Sequence, residues 1–294
     1  MTIYGAIEAG GTKFVCGVGD ARGGSLETAT IPTRDPDRTF ADVAAFFHTA
    51  AGHGPIAAIG MGTFGPVELR RADPRYGQIL ATPKPGWQGT DMLARTRAIL
   101  NVPLGLDTDV NAAALAEADA AGADVSQLAY VTVGTGIGVG LVSAGQPVHG
   151  LGHPEMGHIL VRRHPAHEGF AGVCPFHGDC LEGLASGPAI ASAWGDAARF
   201  GADHPCWEVE ADYIAQLCMT LFLSLAPERI VLGGGVMQQR QLFRLIRQRT
   251  ADRLAGYLAG LTSADALTPH IVAPACTEPS GLVGAYLLAE RACG

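Results

Sequence analysis

An α/β protein built from two similar lobes is the fold class this sequence predicts, and three observations predict it. Apolar runs of strand length alternate along the chain with longer stretches of helical periodicity. A unit of strand, glycine turn and strand occurs twice, with Gly10 and Gly134 standing 124 positions apart, about one domain length. No low-complexity linker interrupts the 294 residues, so packed elements rather than a flexible tether should join the lobes.

The elements follow in order. Ile3 to Ala9 reads as a strand that ends in a glycine turn, and Phe14 to Gly19 as its partner. A helix is expected over Thr39 to Ala51, a strand from Ile56, a helix near Gly89 to Leu100 and a strand over Pro103 to Leu106. "LAYVTV" from Leu128, then "GTG", then "IGVGLVSAG" repeats the opening unit. Beyond it, helices are expected near Ser186 to Phe200 and Glu208 to Ala226, then the strand "RIVLGGG", a helix from Gln239 to Ala259 and a closing helix in "EPSGLVGAYLLAER".

Composition excludes several classes of function. Apolar residues make up 48% and charged residues 16%, too greasy for a disordered chain. A formal net charge of −8 argues against non-specific nucleic-acid binding, so an anionic ligand would have to be held locally. The N-terminus lacks a basic region followed by an apolar one, and the longest greasy stretch, Tyr213 to Ala226, is too short to span a bilayer. A cytoplasmic protein with no membrane partner is the expectation. The seven cysteines are odd in number and scattered, which favours thiols or metal ligands over a disulfide framework.

Three glycine turns stand at strand ends: "EAGGTK" (Glu8 to Lys13), "GTGIG" (Gly134 to Gly138) and "LGGG" (Leu232 to Gly235). One such turn is usually only a hairpin. Three of them can ring an anion with backbone amides, and Thr12, Lys13 and Thr135 add hydroxyl and ammonium donors. The P-loop pattern is absent, and "GTGIGVG" leads into a strand instead of the helix that a dinucleotide fingerprint requires. In "GLDTDVNAAALAEA", Asp107, Asp109 and Asn111 fall where a strand gives way to a helix; a helix cap explains one of them, with Asn111 a candidate, but not all three. A carboxylate there is placed to take a proton from an attacking hydroxyl.

The segment from His153 to Gly183 holds five of the ten histidines and two cysteines. Cys174-x-x-His177-x-x-Cys180 offers three ligands to a structural Zn²⁺, and His158 is one of several upstream histidines that could complete a tetrahedron. His149, His153, His164 and His167 are the others, and spacing does not choose among them.

"IEAGGTKF", "TFGP", "DTDVNAAALAE", "VTVGTGIGVG", "HPEMGH", "CPFHGDCLEGLASGPAI" and "LGGGV" together resemble the ROK sugar kinases, most closely their bacterial zinc-containing fructokinases, from about residue 3 to about residue 284. The resemblance implies a two-lobed actin-like (ribonuclease H-like) fold with an inserted zinc-binding loop. Residues 1–110 would form an N-terminal lobe with the first phosphate loop and part of the sugar site. Residues 111–294 would form a C-terminal lobe with the second phosphate loop, zinc loop and adenosine site, its final helix free to pack back on the first lobe. The implied activity is transfer of a phosphoryl group from Mg²⁺-ATP to the 6-hydroxyl of D-fructose, with Asp109 as general base. It also implies that Gly65, Thr108, Asp109, Glu155, His158 and Glu182 contact the sugar. Gly10, Gly11, Thr12, Lys13, Thr135 and Gly136 would surround the phosphates, with Gly187, Gly233, Gly234 and Gly235 on the adenosine side. The family's Glu-x-Gly-His motif selects His158 as the fourth zinc ligand beside Cys174, His177 and Cys180, and a homodimer is expected.

Two positions depart from the wider superfamily: Glu8 replaces an Asp, as in the fructokinase branch, and Thr108 replaces an Asn. Three rivals remain. A glucokinase or mannokinase of the same family differs only in the sugar pocket. A sugar-sensing repressor on the same fold would carry a DNA-binding helix-turn-helix before the first phosphate loop, where seven residues stand ahead of Glu8. A zinc hydrolase would need an open metal position and gives no reason for the glycine turns.

Overall fold

The computed structural model describes residues 2–22 and 24–294. The chain divides into two compact units: unit 1 comprises Met1–Gly122, Gly145–Pro154 and Ala275–Gly294, and unit 2 comprises Ala123–Ala144 and Glu155–Pro274.

Unit 1 begins with an antiparallel meander of β1 (Ile3–Ala9), β2 (Lys13–Asp20) and β3 (Gly24–Pro32). The third strand was not expected from the sequence, because as an exposed edge it alternates polar with small residues and carries little apolar signal. Helix α1 (Pro36–Ala50) starts where Asp35 accepts Arg38 N–H at 3.0 Å and Pro36 sets the first turn, and it buries Phe40, Val43, Phe46 and Phe47. Strand β4 (Ile56–Thr63), helix α2 (Met92–Ile99), strand β5 (Leu104–Thr108) and helix α3 (Asp109–Ala121) follow. The sheet order is β3-β2-β1-β4-β5, with β1, β4 and β5 mutually parallel. Residues 64–91, between β4 and α2, are pinned by Trp87, which is fully buried against Phe14, Phe40 and Phe64 and donates Nε1–H to Arg34 O at 2.8 Å.

In unit 2, β6 (Gln127–Val133) and β7 (Ile137–Ser143) form an antiparallel hairpin. A two-residue strand, β8 (Gln146–Pro147), belongs to the returning segment of unit 1. Unit 2 continues with α4 (Leu181–Ala185), α5 (Gly187–Trp194), α6 (Cys206–Leu225), β9 (Arg229–Gly233), α7 (Gln241–Leu254) and β10 (Ile271–Val272). Strand β9 runs parallel to both β6 and β10. The greasy stretch from Tyr213 lies within α6, which is buried along most of its length, and among the described residues no helix is long and apolar enough to cross a membrane. Two helices stop short of the expected bounds. Gly195, at φ 96°, ends α5, and Ala255 and Gly256, at φ 50° and 76°, end α7 and leave Tyr257 81% exposed.

Helix α8 (Ser280–Cys293) returns to unit 1 and packs on β1, β4 and α3. Its approach requires missing side chains: a Cβ on Gly60 would lie 1.8 Å from Ala285 O, and one on Gly284 1.8 Å from Ala112 O.

Glu210, on α6, is 2% exposed, and its Oε1 meets no hydrogen-bond partner among the described residues. Burial raises its carboxyl well above the ordinary range, which favours the protonated form. A carboxyl with a raised folded-state pKa contributes full stability below the unfolded value, and that stability falls as pH rises toward the folded value. As pH rises above the ordinary value of an unfolded carboxyl, the wild type should therefore lose stability through this group, by at most about 1.4 kcal/mol per pH unit. Glu210→Gln should flatten that slope, as read from chemical denaturation at several pH values; identical slopes would show that Glu210 is not protonated on folding.

Candidate functional site

In unit 1 the parallel register aligns three strand ends. Glu8, Gly62 and Asp107 stand side by side, and Ala9, Thr63 and Thr108 form the next row. The first glycine turn therefore emerges beside the start of α3, at the carboxyl ends of the parallel strands where open α/β sheets bind ligands. The turn closes through Gly10 N–H to Lys13 O at 3.0 Å, and Gly11 and Thr12 are exposed. Burial raises the Glu8 carboxyl, and the Lys13 ammonium partly offsets the shift.

Helix α3 is capped by Thr108, whose Oγ1 accepts Asn111 N–H at 3.1 Å. The capping role considered for Asn111 is thus corrected: its buried amide donates to Asp107 Oδ1 at 2.7 Å instead. Asp109 is the first residue of the helix, half-buried, with Oδ1 accepting Val110 N–H at 2.8 Å. Gly65 lies against His153, whose Nε2 accepts Val67 N–H at 3.3 Å.

Sequence reasoning missed two neighbours in this unit. Lys84 donates its ammonium to Gly11 O and reaches Thr33 O at 3.4 Å, which adds a cation to the first turn. Nothing in "TPKPGW" signals this, because Trp87 brings the loop there through tertiary packing. His149, weighed only as a metal ligand, contacts Asp107 Oδ2 at 3.0 Å, and this hydrogen bond raises its pKa.

In unit 2 the second and third glycine turns lie together. Thr132 pairs with Gly233 across β6 and β9, and Gly234, at φ 92°, lies so near Val133 that a Cβ would sit 2.4 Å from its carbonyl oxygen. Both turns line a cavity of about 480 Å³. Gly134, Thr135, Gly187 and Gly235 face it beside an apolar wall that includes Pro188, Ile190 and Trp207. That combination of turn backbone and greasy surface in one cavity suits a nucleoside phosphate.

The same unit gathers His158, Cys174, His177 and Cys180, with one ligand atom from each within 4.8 Å of all the others. His158 Nδ1 lies 3.5 Å from Cys180 Sγ and 3.7 Å from Cys174 Sγ, and His177 Nδ1 lies 3.7 Å from Cys174 Sγ. A tetrahedron with Zn–N and Zn–S bonds of about 2.0 to 2.3 Å has edges of about 3.3 to 3.8 Å, so these residues fit that ion. The other histidines are engaged elsewhere. His167 accepts Trp194 Nε1–H at 2.9 Å and touches Tyr213 Oη at 3.2 Å, while His164 Nδ1 accepts Ala166 N–H.

His158 turns Nδ1 toward the thiols, which leaves Nε2 on the outer side of the ring. Glu155, whose side chain is exposed overall, and half-buried Glu182 flank the cluster, and crowding of protein atoms around the Glu155 carboxyl, followed by the charge of Glu182, pushes that carboxyl up to about 7. His158, like Glu182, is half-buried.

A family model described as the ROK family matches residues 4–292. The chain is similar to a fructokinase from Pediococcus pentosaceus, 43% identical over 292 residues that cover 99% of this chain and 98% of that one. A fructokinase from Zymomonas mobilis is 41% identical over 299 residues, covering 99% and 97%. Among solved structures, a ROK hexokinase from Thermus thermophilus superposes with a TM-score of 0.78 at 27% identity, covering 99% and 98% of the two chains. Matched from end to end in sequence and in fold, this chain belongs to the ROK family.

Proposed function

We propose that this protein is a hexose kinase that transfers the γ-phosphoryl group of ATP to the 6-hydroxyl of D-fructose. The observation that carries the reading is its identity of 41–43% along nearly the whole chain with proteins named as fructokinases. Supporting it are a carboxylate at the first turn of α3, glycine turns in both units and the Cys/His cluster.

In this reading the sugar oxygen attacks γ-phosphorus, the bond to the β–γ bridging oxygen breaks, and ADP leaves with that electron pair. Asp109 accepts the hydroxyl proton. Thr12 and Lys13 in unit 1, and Thr135 and Gly136 in unit 2, hold phosphate oxygens. Gly187 and the turn from Gly233 to Gly235 bound the nucleoside. Gly65, Thr108, Glu155, His158 and Glu182 contact sugar hydroxyls. Mg²⁺ bound with ATP would neutralise charge on the phosphates. The Cys/His cluster would hold Zn²⁺ through all four ligands, a closed set that orders the loop carrying Glu155 and Glu182.

Asp109→Asn should lower kcat by roughly 10²- to 10⁴-fold, the usual contribution of a general base, while melting temperature and ADP affinity stay near wild type. A coupled ADP-release assay with calorimetry checks this; near-wild-type turnover would leave Asp109 a structural role only. For the metal, elemental analysis should find about one Zn²⁺ per chain. Cys180→Ser should lose it together with several degrees of melting temperature, and a variant that keeps full metal would remove Cys180 from the ligand set.

Fructose should exceed mannose and glucose in kcat/KM. With partly solvated contacts, an unmade hydrogen bond to the wrong epimer costs about 1 to 2 kcal/mol, or roughly 5- to 30-fold. Measuring the three sugars under one set of conditions decides it, and glucose exceeding fructose would move the chain to the glucokinase branch of the family.

A further inference from the structure

Glu182 does more in unit 2 than face a sugar. It is the second residue of α4, whose N-cap is Cys180, and its Oε2 accepts the backbone N–H of Ile137 at 2.9 Å. Ile137 is the first residue of β7, directly after the turn of Gly134, Thr135 and Gly136. Gly136 leaves room for the carboxylate, since a Cβ there would lie 2.6 Å from Glu182 Oε2. The turn is held at its other end as well: Gly187 N–H donates to Gly134 O at 2.7 Å, and Gly134 N–H closes on Gly136 O at 2.9 Å. Beside it, Gly157 packs so tightly that a Cβ would sit 1.8 Å from Ile137 O.

A charged acceptor fixed on a backbone amide is among the stronger hydrogen bonds, and here it sets the direction of the strand that leaves the turn. With Gly134 and Ile137 both occupied, the amides of Thr135 and Gly136 are the ones left to meet an anion, and Gly134 and Thr135 line the 480 Å³ cavity. We propose that Glu182 is a positioning residue for nucleotide binding, its carboxylate holding Ile137 N–H so that the Thr135–Gly136 turn is preformed for phosphate. The proposal rests on reading that turn as the phosphate site. It adds to any sugar contact of Glu182 a role that should operate with no sugar present.

The test is calorimetric titration of Mg²⁺ and a non-hydrolysable ATP analogue into the full chain without sugar. Glu182→Ala should weaken analogue binding by about 10-fold, the scale of one hydrogen bond to a charged group. Glu182→Gln keeps an acceptor for Ile137 N–H while removing the charge, so it should stay within about threefold of wild type. Gly136→Ala, whose methyl group would displace the carboxylate, should also weaken binding, and by less in the Glu182→Ala background than in wild type. Equal affinity in wild type and Glu182→Ala would overturn the proposal and leave Glu182 a sugar contact alone, as would strictly additive costs in the double mutant. Melting temperature and metal content are read on each variant. If Glu182→Ala does not fold, Gly136→Ala and Glu182→Gln still decide, because full analogue affinity in Gly136→Ala would overturn the role of the carboxylate. A wild-type chain that binds no analogue would instead defeat the phosphate-site reading, and this inference with it.

Discussion

The parallel register of β1, β4 and β5 is the constraint on which the chemistry of unit 1 depends. It places Glu8, Gly62 and Asp107 in one row and Ala9, Thr63 and Thr108 in the next, so three chain segments far apart in sequence leave the sheet at one edge. A slip of one residue would turn every side chain in the slipped strand to the opposite face. Helix α8 guards against such a slip by packing backbone to backbone: Gly60 and Gly284 leave no space for a shifted partner that carries a Cβ. The last helix of the chain therefore matters to the first glycine turn, although they stand at opposite ends of the sequence.

Unit 2 solves a different problem, which is to order irregular backbone that lies outside its helices and strands. The segment from Glu155 to Cys180 contains short 3₁₀ turns and a single bridge between Cys174 and Gly178. Its order comes from side chains that converge on points: four ligand atoms within 4.8 Å, Arg163 on Asp179 at 2.6 Å, and His167 between Trp194 and Tyr213. Burial pushes the Cys180 thiol up to about 11. A divalent ion reverses that balance by stabilising thiolate.

Anion binding in a chain of net charge −8 has to rely on local donors. Both units offer side-chain-poor turns that are fixed by side chains from distant segments. Lys84 over Gly11 and Glu182 on Ile137 are of opposite charge but have a similar mechanical effect, each tying a distant loop to a glycine turn. Preorganised amides lose little entropy on meeting a ligand, which is how a chain of net negative charge could still hold an anion at such a turn.

The sequence by itself determined the alternation of strands and helices, the repeated hairpin with its glycine turn, the greasy helix around Tyr213 and the family, because these are written in local periodicity and contiguous motifs. It also contained the Cys-x-x-His-x-x-Cys loop, since three of the four clustered residues are close neighbours in the chain. Polar edge strand β3 escaped it, as did the early ends of α5 and α7, where one residue and two residues at positive φ stop helices that periodicity would continue. Thr108 rather than Asn111 as the cap of α3, His149 on Asp107, Lys84 on Gly11 and Glu182 on Ile137 were decided only by tertiary structure. Each of these joins a side chain to a partner whose direction depends on how backbone and loops pack, and no pattern of residue types along one chain encodes that direction.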